Sequence, residues 1–388
     1  MMRILFVSGA NPFGTAISGD MQRSRLLLKA LASLGEVDVV TFSGDAVSDL
    51  DHVRLVFSKT MDWEVRMTGK MKKWMAAMPF GDARSLFPVN WEQERILDGI
   101  ISQGNYDVIV SRYLFRTSAC GLLKYRDRLV VDFDDDPRFY FSQQIIPSSS
   151  LFRKTRLSLS ARKVDRLTSE LTRRLRGAFF SHEKVAMRYN GIHLPNIPFY
   201  DISCQDAVFD KSHRKLLFVG LLDYAPNRDG IDRFLSKVFM PLKEKMPQLE
   251  FDIVGYLSKP DVAERWSRFP GVTLCGFVED VRSKYEESHV VVVPVYECGG
   301  TNIKILEAMQ MNRACVTTRE AFEKMQGAFK DRMDLYAASG DEEYVDMVFR
   351  LLTDEEENHR LAHNGKTVVS TCYSFEKFSQ IVKDTIVR

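Results

Sequence analysis

The chain has 388 residues, 45% of them hydrophobic and 27% charged, with a formal net charge of +2. This is the composition of a soluble globular protein. It excludes disordered and low-complexity classes, and the length exceeds one ordinary core, so two domains facing a cleft are expected. The charge is uneven: residues 1–200 hold 29 Lys and Arg against 21 Asp and Glu, and residues 201–388 hold 25 against 31.

The opening "MMRILFVSGANPFG" has one basic residue. Its apolar run of about five is too short for a secretory h-region or a membrane span, which points to the cytoplasm. "RILFVSG" reads as a strand, "NPFGTAISGD" as a loop, "MQRSRLLLKALASLG" as a helix stopped by glycine, and "EVDVVTF" as the next strand. That succession begins a parallel sheet covered by helices. Gly19 follows the first strand, where bare backbone lets a ligand approach, and Arg23 sits one turn into the helix. Arg23 is either ordinary surface beside the core or a residue of a site.

In "VRMTGKMKKWMAAM", Met67, Met71, Trp74 and Met78 share one helical face, and Arg66, Lys70 and Lys73 its neighbour. Strands follow at 106–111, 128–133 and 177–181, with Arg112 at the end of the first of these. "RLVVDFDDDPRFY" places Asp134, Asp135 and Asp136 at a strand's carboxyl end and Asp132 inside it. Like charges this close raise one another's pKa and need a compensating partner. Three readings stand: a metal site of the Asp-x-Asp type, an N-cap cluster before Pro137, and, only as the family resemblance given below implies, an acceptor-positioning site with Asp134 and Asp135 as general-base candidates. In 153–176 basic residues recur on nearly every turn. Segments 66–73 and 153–176 are either ordinary amphipathic surface or a docking face for an anionic membrane. No recognition module or stacking pattern accompanies this charge, so nucleic acid is not expected as a partner.

Periodicity vanishes after Asn190, and we place a linker at 199–213 between an N-terminal domain, 1–198, and a C-terminal domain, 214–373. "KLLFVGLLDYAPNRDGI" then restarts the strand-turn-helix pattern, with further strands at 250–257, 272–277, 289–296, 314–318 and 335–339. The expected fold is α/β, two doubly wound Rossmann-like domains. "YSFEKFSQIVKDTIVR" reads as a terminal helix with Ser374 as N-cap and an apolar stripe at Phe375, Phe378, Val382 and Ile386. The cysteines, Cys120, Cys204, Cys275, Cys298, Cys315 and Cys372, are scattered without Cys-x-x-Cys or histidines at zinc spacing. They read as buried free thiols, with neither disulfide nor metal.

"CGGTNIKILEAMQ" follows the near-continuous apolar strand "HVVVVPVY". Gly299 and Gly300 allow close approach, and the first amides of the helix, near Thr301, Asn302 and Ile303, lack intrahelical partners. With the helix dipole and Lys304 they suit a nucleotide diphosphate, while Glu307, on the same face, suits ribose hydroxyls. The plain alternative is a chain turn followed by a solvated Lys304–Glu307 pair.

"GGTNIKILEAMQMNRACVTT" resembles the donor segment of GT-B glycosyltransferases, above all family 4. "LLFVGLLDYAPNRDGIDRFL", "FDIVGYL", "VTLCGFVEDVRSKYEESHVVVVPV" and "LPNIPF" match in the same order, so the resemblance covers most of 215–375 and residues 1–200 only loosely. It implies GT-B architecture and a terminal helix returning to the N-terminal domain. It also implies transfer of a sugar from a nucleotide-diphosphate sugar to a hydroxyl of a glycan or lipid-linked glycan, with retention and without metal or other cofactor. Asn227, Gly255, Gly276, Gly299, Gly300, Thr301, Asn302 and Ile303, with Gly19, fall on the donor side. Lys304, Glu307 and Arg228 carry the donor chemistry, and Asp134, Asp135, Arg23 and Arg112 serve the acceptor. Two departures stand out: the family's first glutamate falls at Gly299, and its usual Arg and Lys align near Leu221 and Asp229, leaving Arg228 and Lys304 as substitutes. A nucleotide-sugar epimerase and a catalytically silent GT-B-like subunit are the alternatives. A dinucleotide oxidoreductase is disfavoured, since no Gly-x-Gly-x-x-Gly follows either first strand. Capsule, exopolysaccharide or lipopolysaccharide synthesis is the setting the family implies.

Overall fold

A computed structural model describes residues 2–13, 18–44, 47–61, 89–138, 151–200, 202–209, 213–297, 301–325 and 328–388. The chain divides into two units, Met1–Pro195 with Phe378–Arg388, and Asn196–Lys377.

The first unit alternates strands and helices from the start. β1 (Met2–Ser8) is buried from Ile4 onward, as a strand covered on both faces must be. Its helix α1 (Gly19–Ala32) is capped by Ser18, whose hydroxyl accepts from the Met21 amide. β2 (Gly35–Thr41), β3 (Val53–Ser58), α2 (Trp91–Gly104), β4 (Val108–Arg112), α3 (Leu114–Ala119), β5 (Leu129–Asp134), α4 (Leu151–Thr172), β6 (Gly177–Phe180), α5 (Glu183–Tyr189) and β7 (Ile192–His193) follow. The sheet runs β3-β2-β1-β4-β5-β6-β7, and the pairs that β1 forms with β2 and β4 are parallel. Order therefore reverses between β1 and β4, which makes their carboxyl ends the switch point. On α4, Leu157, Val164, Leu167 and Leu171 are buried at helical spacing, while Arg162 and Arg166 are exposed.

The second unit repeats the plan. It contains β8 (Arg214–Val219), α6 (Ala225–Phe234), α7 (Met240–Lys245), β9 (Leu249–Val254), α8 (Pro260–Ser267), β10 (Val272–Gly276), α9 (Arg282–Glu287), β11 (Val290–Val293), α10 (Ile303–Gln310), β12 (Ala314–Thr318), α11 (Arg319–Glu323), β13 (Tyr336–Ala338), α12 (Asp341–Thr353) and α13 (Glu355–Cys372). Its sheet runs β10-β9-β8-β11-β12-β13 and switches between β8 and β11, which pair in parallel. The core gathers Phe218, Phe234, Phe239, Phe251 and Trp266 around the sheet.

Ile192–His193, in the aperiodic stretch before the expected linker, adds a strand beside β6. Arg313 donates to the Gln205 carbonyl at 2.6 Å, and the imidazoles of His359 and His289 donate to those of Ala207 and Val208 at 2.8 and 3.0 Å. Side chains of the second unit thus replace the periodic pattern that a strand or helix would have shown. The last helix, α14 (Phe375–Ile386), buries Phe378, Val382 and Ile386, and Arg176 of the first unit donates to the Ile386 carbonyl at 2.8 Å. Among the described residues no helix is long and apolar enough to cross a membrane.

Candidate functional site

Each unit presents chemistry at its own switch point. In the second unit, α6 and α10 follow the two flanking strands, β8 and β11. Asn302 is the N-cap of α10, yet its side chain makes no capping hydrogen bond. It is 7% exposed, and its Nδ2 is buried without a partner. Asn227, 2% exposed, donates from Nδ2 to the Leu221 carbonyl at 2.8 Å, while its Oδ1 is buried without a partner. Unmatched buried polar atoms cost about 1–3 kcal/mol each, so their presence at two helix starts beside one switch point marks a place for a ligand.

Lys304 lies over the end of β8: a Cβ built on Gly220 would stand 2.5 Å from its Cε. That bare backbone is what lets the lysine stem cross. Glu307 is buried, so it does not belong to a solvated surface pair. Its charge reaches Tyr200 and Tyr285, whose phenols are pushed up first by burial and then by that carboxylate. The Tyr285 hydroxyl, too, is buried without a partner. Arg228 donates to the Asp223 carbonyl at 3.2 Å and so is engaged on its own loop. Thr301 precedes the cap, Ile303 opens α10, and Gly19 opens α1 in the first unit. Gly276 has φ +69°, a left-handed position suited to glycine. Gly255 serves packing as well, because a Cβ there would stand 1.8 Å from the Gly220 carbonyl oxygen. Gly299, Gly300 and the basic segment 66–73 lie outside the described residues.

In the first unit the switch point holds a buried charge network. Arg112, the last residue of β4, is 0% exposed. It donates to Asp132 at 2.9 Å, to Asp134 at 2.8 Å, to the Ser24 hydroxyl at 2.7 Å and to the Asp20 carbonyl at 2.6 Å. Arg23, also buried, holds both oxygens of Asp132 at 2.8 and 2.9 Å and donates to the Leu194 carbonyl at 3.1 Å. Of the two readings of Arg23, surface residue beside the core is thereby removed. Burial alone would raise Asp132, but the Arg23 and Arg112 guanidiniums outweigh it and hold the carboxyl below its ordinary value. Asp135 goes the other way: burial, then the neighbouring Asp134 charge, push it up to about 7.

Two residues of this site are strained. Asp134 has φ +62°, and Tyr113, directly after β4, has φ 62° and ψ 133°. The strain is held in place by hydrogen bonds. Asp134 offers its carbonyl to the Ser181 amide and hydroxyl at 2.8 and 3.0 Å, and Tyr113 donates its amide to the Asp132 carbonyl at 2.8 Å. The Tyr113 hydroxyl then donates to Asp134 at 3.1 Å. Such strain, about 1–3 kcal/mol per residue, gathers at functional sites. No helix starts at 135–138, so the N-cap reading of the aspartates fails there; Asp136 instead pairs with Arg138. Among the described residues no group of three or more Asp, Glu, His or Cys is placed to hold a metal ion.

Sequence reasoning missed Tyr113, Ser24, Asp20, Gly220, Tyr200 and Tyr285. Of the aromatic residues, Tyr113 directly follows β4, whereas Tyr285 lies within α9 and Tyr200 in the aperiodic stretch after β7, where no periodic signal marks them. Tyr224, Tyr256 and Phe277, 44%, 54% and 50% exposed after β8, β9 and β10, were equally legible as strand-end aromatics.

Residues 213–354 match the family model described as "Glycosyl transferases group 1". No curated protein matches the chain in sequence. Solved structures of similar fold include sucrose-phosphate synthase from Thermosynechococcus elongatus, with TM-score 0.68 and 14% identity over 99% of this chain and 98% of that one. WaaG, a glycosyltransferase involved in lipopolysaccharide biosynthesis, gives TM-score 0.64 and 15% identity over 98% and 99% of the two chains. HepE from Anabaena, in complex with UDP and glucose, gives 0.63 and 13% over 100% of both. Two parallel-sheet units of this topology define a GT-B fold. The chain thus has a GT-B fold, and its residues 213–354 match a group 1 glycosyltransferase domain.

Proposed function

We propose that the protein moves a sugar from a nucleotide-diphosphate sugar to a hydroxyl of a glycan or lipid-linked glycan, as in the family 4 branch it resembles. The observation that carries this reading is the start of α10, where the unmatched Asn302 Nδ2, the first helix amides and Lys304 converge at the switch point of the group 1 domain. Those amides and the lysine would hold the diphosphate and stabilise the charge it gains on leaving, the largest task in such a transfer. Glu307 would take the ribose hydroxyls, and Asn227 one further hydroxyl at its Oδ1. HepE, of like fold, was solved with UDP and glucose.

In the first unit, Arg23 and Arg112 would hold Asp134 still, and Asp134 with Asp135 would orient the acceptor hydroxyl. Asp135 suits this task because it can carry or release a proton near neutrality. Retention of configuration follows from the family resemblance, and independence from metal from amides and cations that can stabilise the leaving charge; both are part of the proposal. So is a place at the inner face of a membrane: Arg162, Arg166, Arg173 and Arg174 are exposed on and just after α4. Each would contribute about 1 kcal/mol beside anionic lipid. Loss of sedimentation with phosphatidylglycerol vesicles on Arg162→Gln/Arg166→Gln would support that placement, and unchanged sedimentation would remove it.

The test of the donor site is a thermal-shift panel of nucleoside diphosphates with and without EDTA, on wild type and Glu307→Ala. At about 100 times its dissociation constant a ligand stabilises by about 2.7 kcal/mol. One diphosphate should shift the wild type and not the variant, with EDTA irrelevant. No shift at all, or a metal-dependent shift that survives the substitution, would overturn the reading.

A further inference from the structure

Asp135 stands between two neighbours that are each held by other elements. Before it, Asp134 ends β5 with its carbonyl on the Ser181 amide and hydroxyl and its carboxylate on Arg112 and Tyr113. After it, Asp136 is held by a second set. Arg138 donates to its Oδ2 from Nη2 at 2.5 Å and to its Oδ1 from the backbone amide at 3.0 Å. The hydroxyl of Tyr189, the last residue of α5, stands 2.8 Å from Oδ1 of Asp165 on α4 and 3.3 Å from Oδ1 of Asp136. Its one proton serves two carboxylates. Arg138, with Nε 3.6 Å from Asp165, and Arg188, at 3.0 Å, supply the charge that lets them approach. Tyr189 itself is 2% exposed, and its ring stacks on Phe180, which stacks in turn on Phe133 of β5, at 5.4 and 4.8 Å. Pro137 further keeps Asp136 out of the helical region.

We propose that Tyr189 and Arg138, acting through Asp136, are positioning residues for Asp135, the carboxyl that would orient the acceptor hydroxyl. The inference rests on that acceptor reading. One peptide unit separates Asp135 from each held neighbour, so its backbone has little freedom, and the direction in which its carboxyl projects follows from that. The charged groups that act on it most strongly are Asp134 and Asp132 of β5, Arg23 of α1 and Arg112 of β4. Neither Tyr189 nor Arg138 is one of these. Tyr189→Phe keeps the stacked ring and changes no charge, so it reaches Asp135 only through the path of the chain.

The experiment titrates the Asp135 carboxyl by carbon-13 NMR in protein labelled at the aspartate carboxyl carbons, with Asp135→Asn to assign it, in wild type, Tyr189→Phe and Arg138→Gln. Asp38, held on β2 by Arg54 and Tyr106, is the control in the same spectra. In wild type the midpoint should lie at about 7. In Tyr189→Phe it should fall to about 6 or below, because a released chain lets water reach the carboxylate. Arg138→Gln separates path from charge: loss of a cation alone raises a carboxyl, whereas release of Asp136 lowers Asp135, so a fall is expected there too. A wild-type midpoint kept in Tyr189→Phe, or a rise in Arg138→Gln, would overturn the positioning role and leave the acceptor reading standing. An equal displacement of the Asp38 resonance would also overturn it, as general loosening. A wild-type Asp135 that titrates at about 4, the ordinary carboxylate value, would overturn the acceptor reading and this inference with it.

Discussion

Arg112 and Asp132 occupy paired positions on adjacent parallel strands, both are 0% exposed, and Nε meets Oδ2 at 2.9 Å. A buried guanidinium surrounded by acceptors cannot be truncated cheaply, because each acceptor is left facing apolar protein. Arg112→Met should therefore destabilise the protein by about 3–5 kcal/mol. Arg112→Lys should fare little better, since one ammonium cannot reach Asp132, Asp134, Ser24 and Asp20 together. Urea unfolding followed by fluorescence measures this, and a loss under about 1 kcal/mol for Arg112→Met would sink the account of the network.

Asp135 should make stability depend on pH across a window its neighbours do not share. Its folded value, about 7, lies above the unfolded carboxylate value near 4. The proton is held more tightly in the folded state, so this contribution is fully present below pH ~4 and is lost as pH rises through 7. Asp132 runs the opposite way: its folded value is depressed, so its contribution is present above the unfolded value and is lost as pH falls through the folded one. Asp135→Asn removes only the first dependence. The variant should gain on wild type by about 1–3 kcal/mol between pH 4 and pH 8. A stability difference that stays flat over that range would show that Asp135 is ionised throughout.

Period and turn chemistry made both sheets legible in the sequence, because strands buried on two faces read as apolar runs: "ACVTT" and "HVVVVPVY" lie where β12 and β11 form. β3 was missed because its residues are only partly buried and alternate weakly, and β7 because two residues carry no period. The candidate site divides in the same way. A helix start with Asn302, Lys304 and Glu307 is a local pattern and can be read directly. The partners of Asp132 cannot, since Arg23 lies 109 positions away and only the parallel crossover brings it back. Read along the chain, Asp132 to Asp136 are five positions dense in negative charge; in the fold, two buried arginines divide them.

Asn302 allows capping to be separated from binding. An N-cap Asn replaced by Ala ordinarily costs about 0.5–2 kcal/mol, because its side chain satisfies a helix amide. Here that side chain makes no such bond. Asn302→Ala should leave the melting temperature at or above that of wild type, since no cap bond is lost and an unmatched buried amide is removed, yet weaken nucleoside diphosphate binding about tenfold through the lost Nδ2 contact. Calorimetry and a thermal scan on the same sample decide it. A large drop in melting temperature with unchanged affinity would make Asn302 a cap and nothing more.

Two glycines give the last contrast. Gly99 sits inside α2 with nothing within 4 Å of an added Cβ. Gly99→Ala should stabilise by about 0.5–1 kcal/mol, the ordinary helix gain. Gly230 is helical too, but its Cβ would stand 1.8 Å from the Pro294 carbonyl oxygen, and the Thr317 and Thr318 hydroxyls hold the flanking carbonyls of Val293 and Val295. Gly230→Ala should cost about 1–3 kcal/mol, as overpacking does, and should lower diphosphate affinity as well. Chemical denaturation of the pair, with calorimetry on Gly230→Ala, supplies both readouts. If the two substitutions shift stability in the same direction, the close packing of α6 on the β11 exit is wrong.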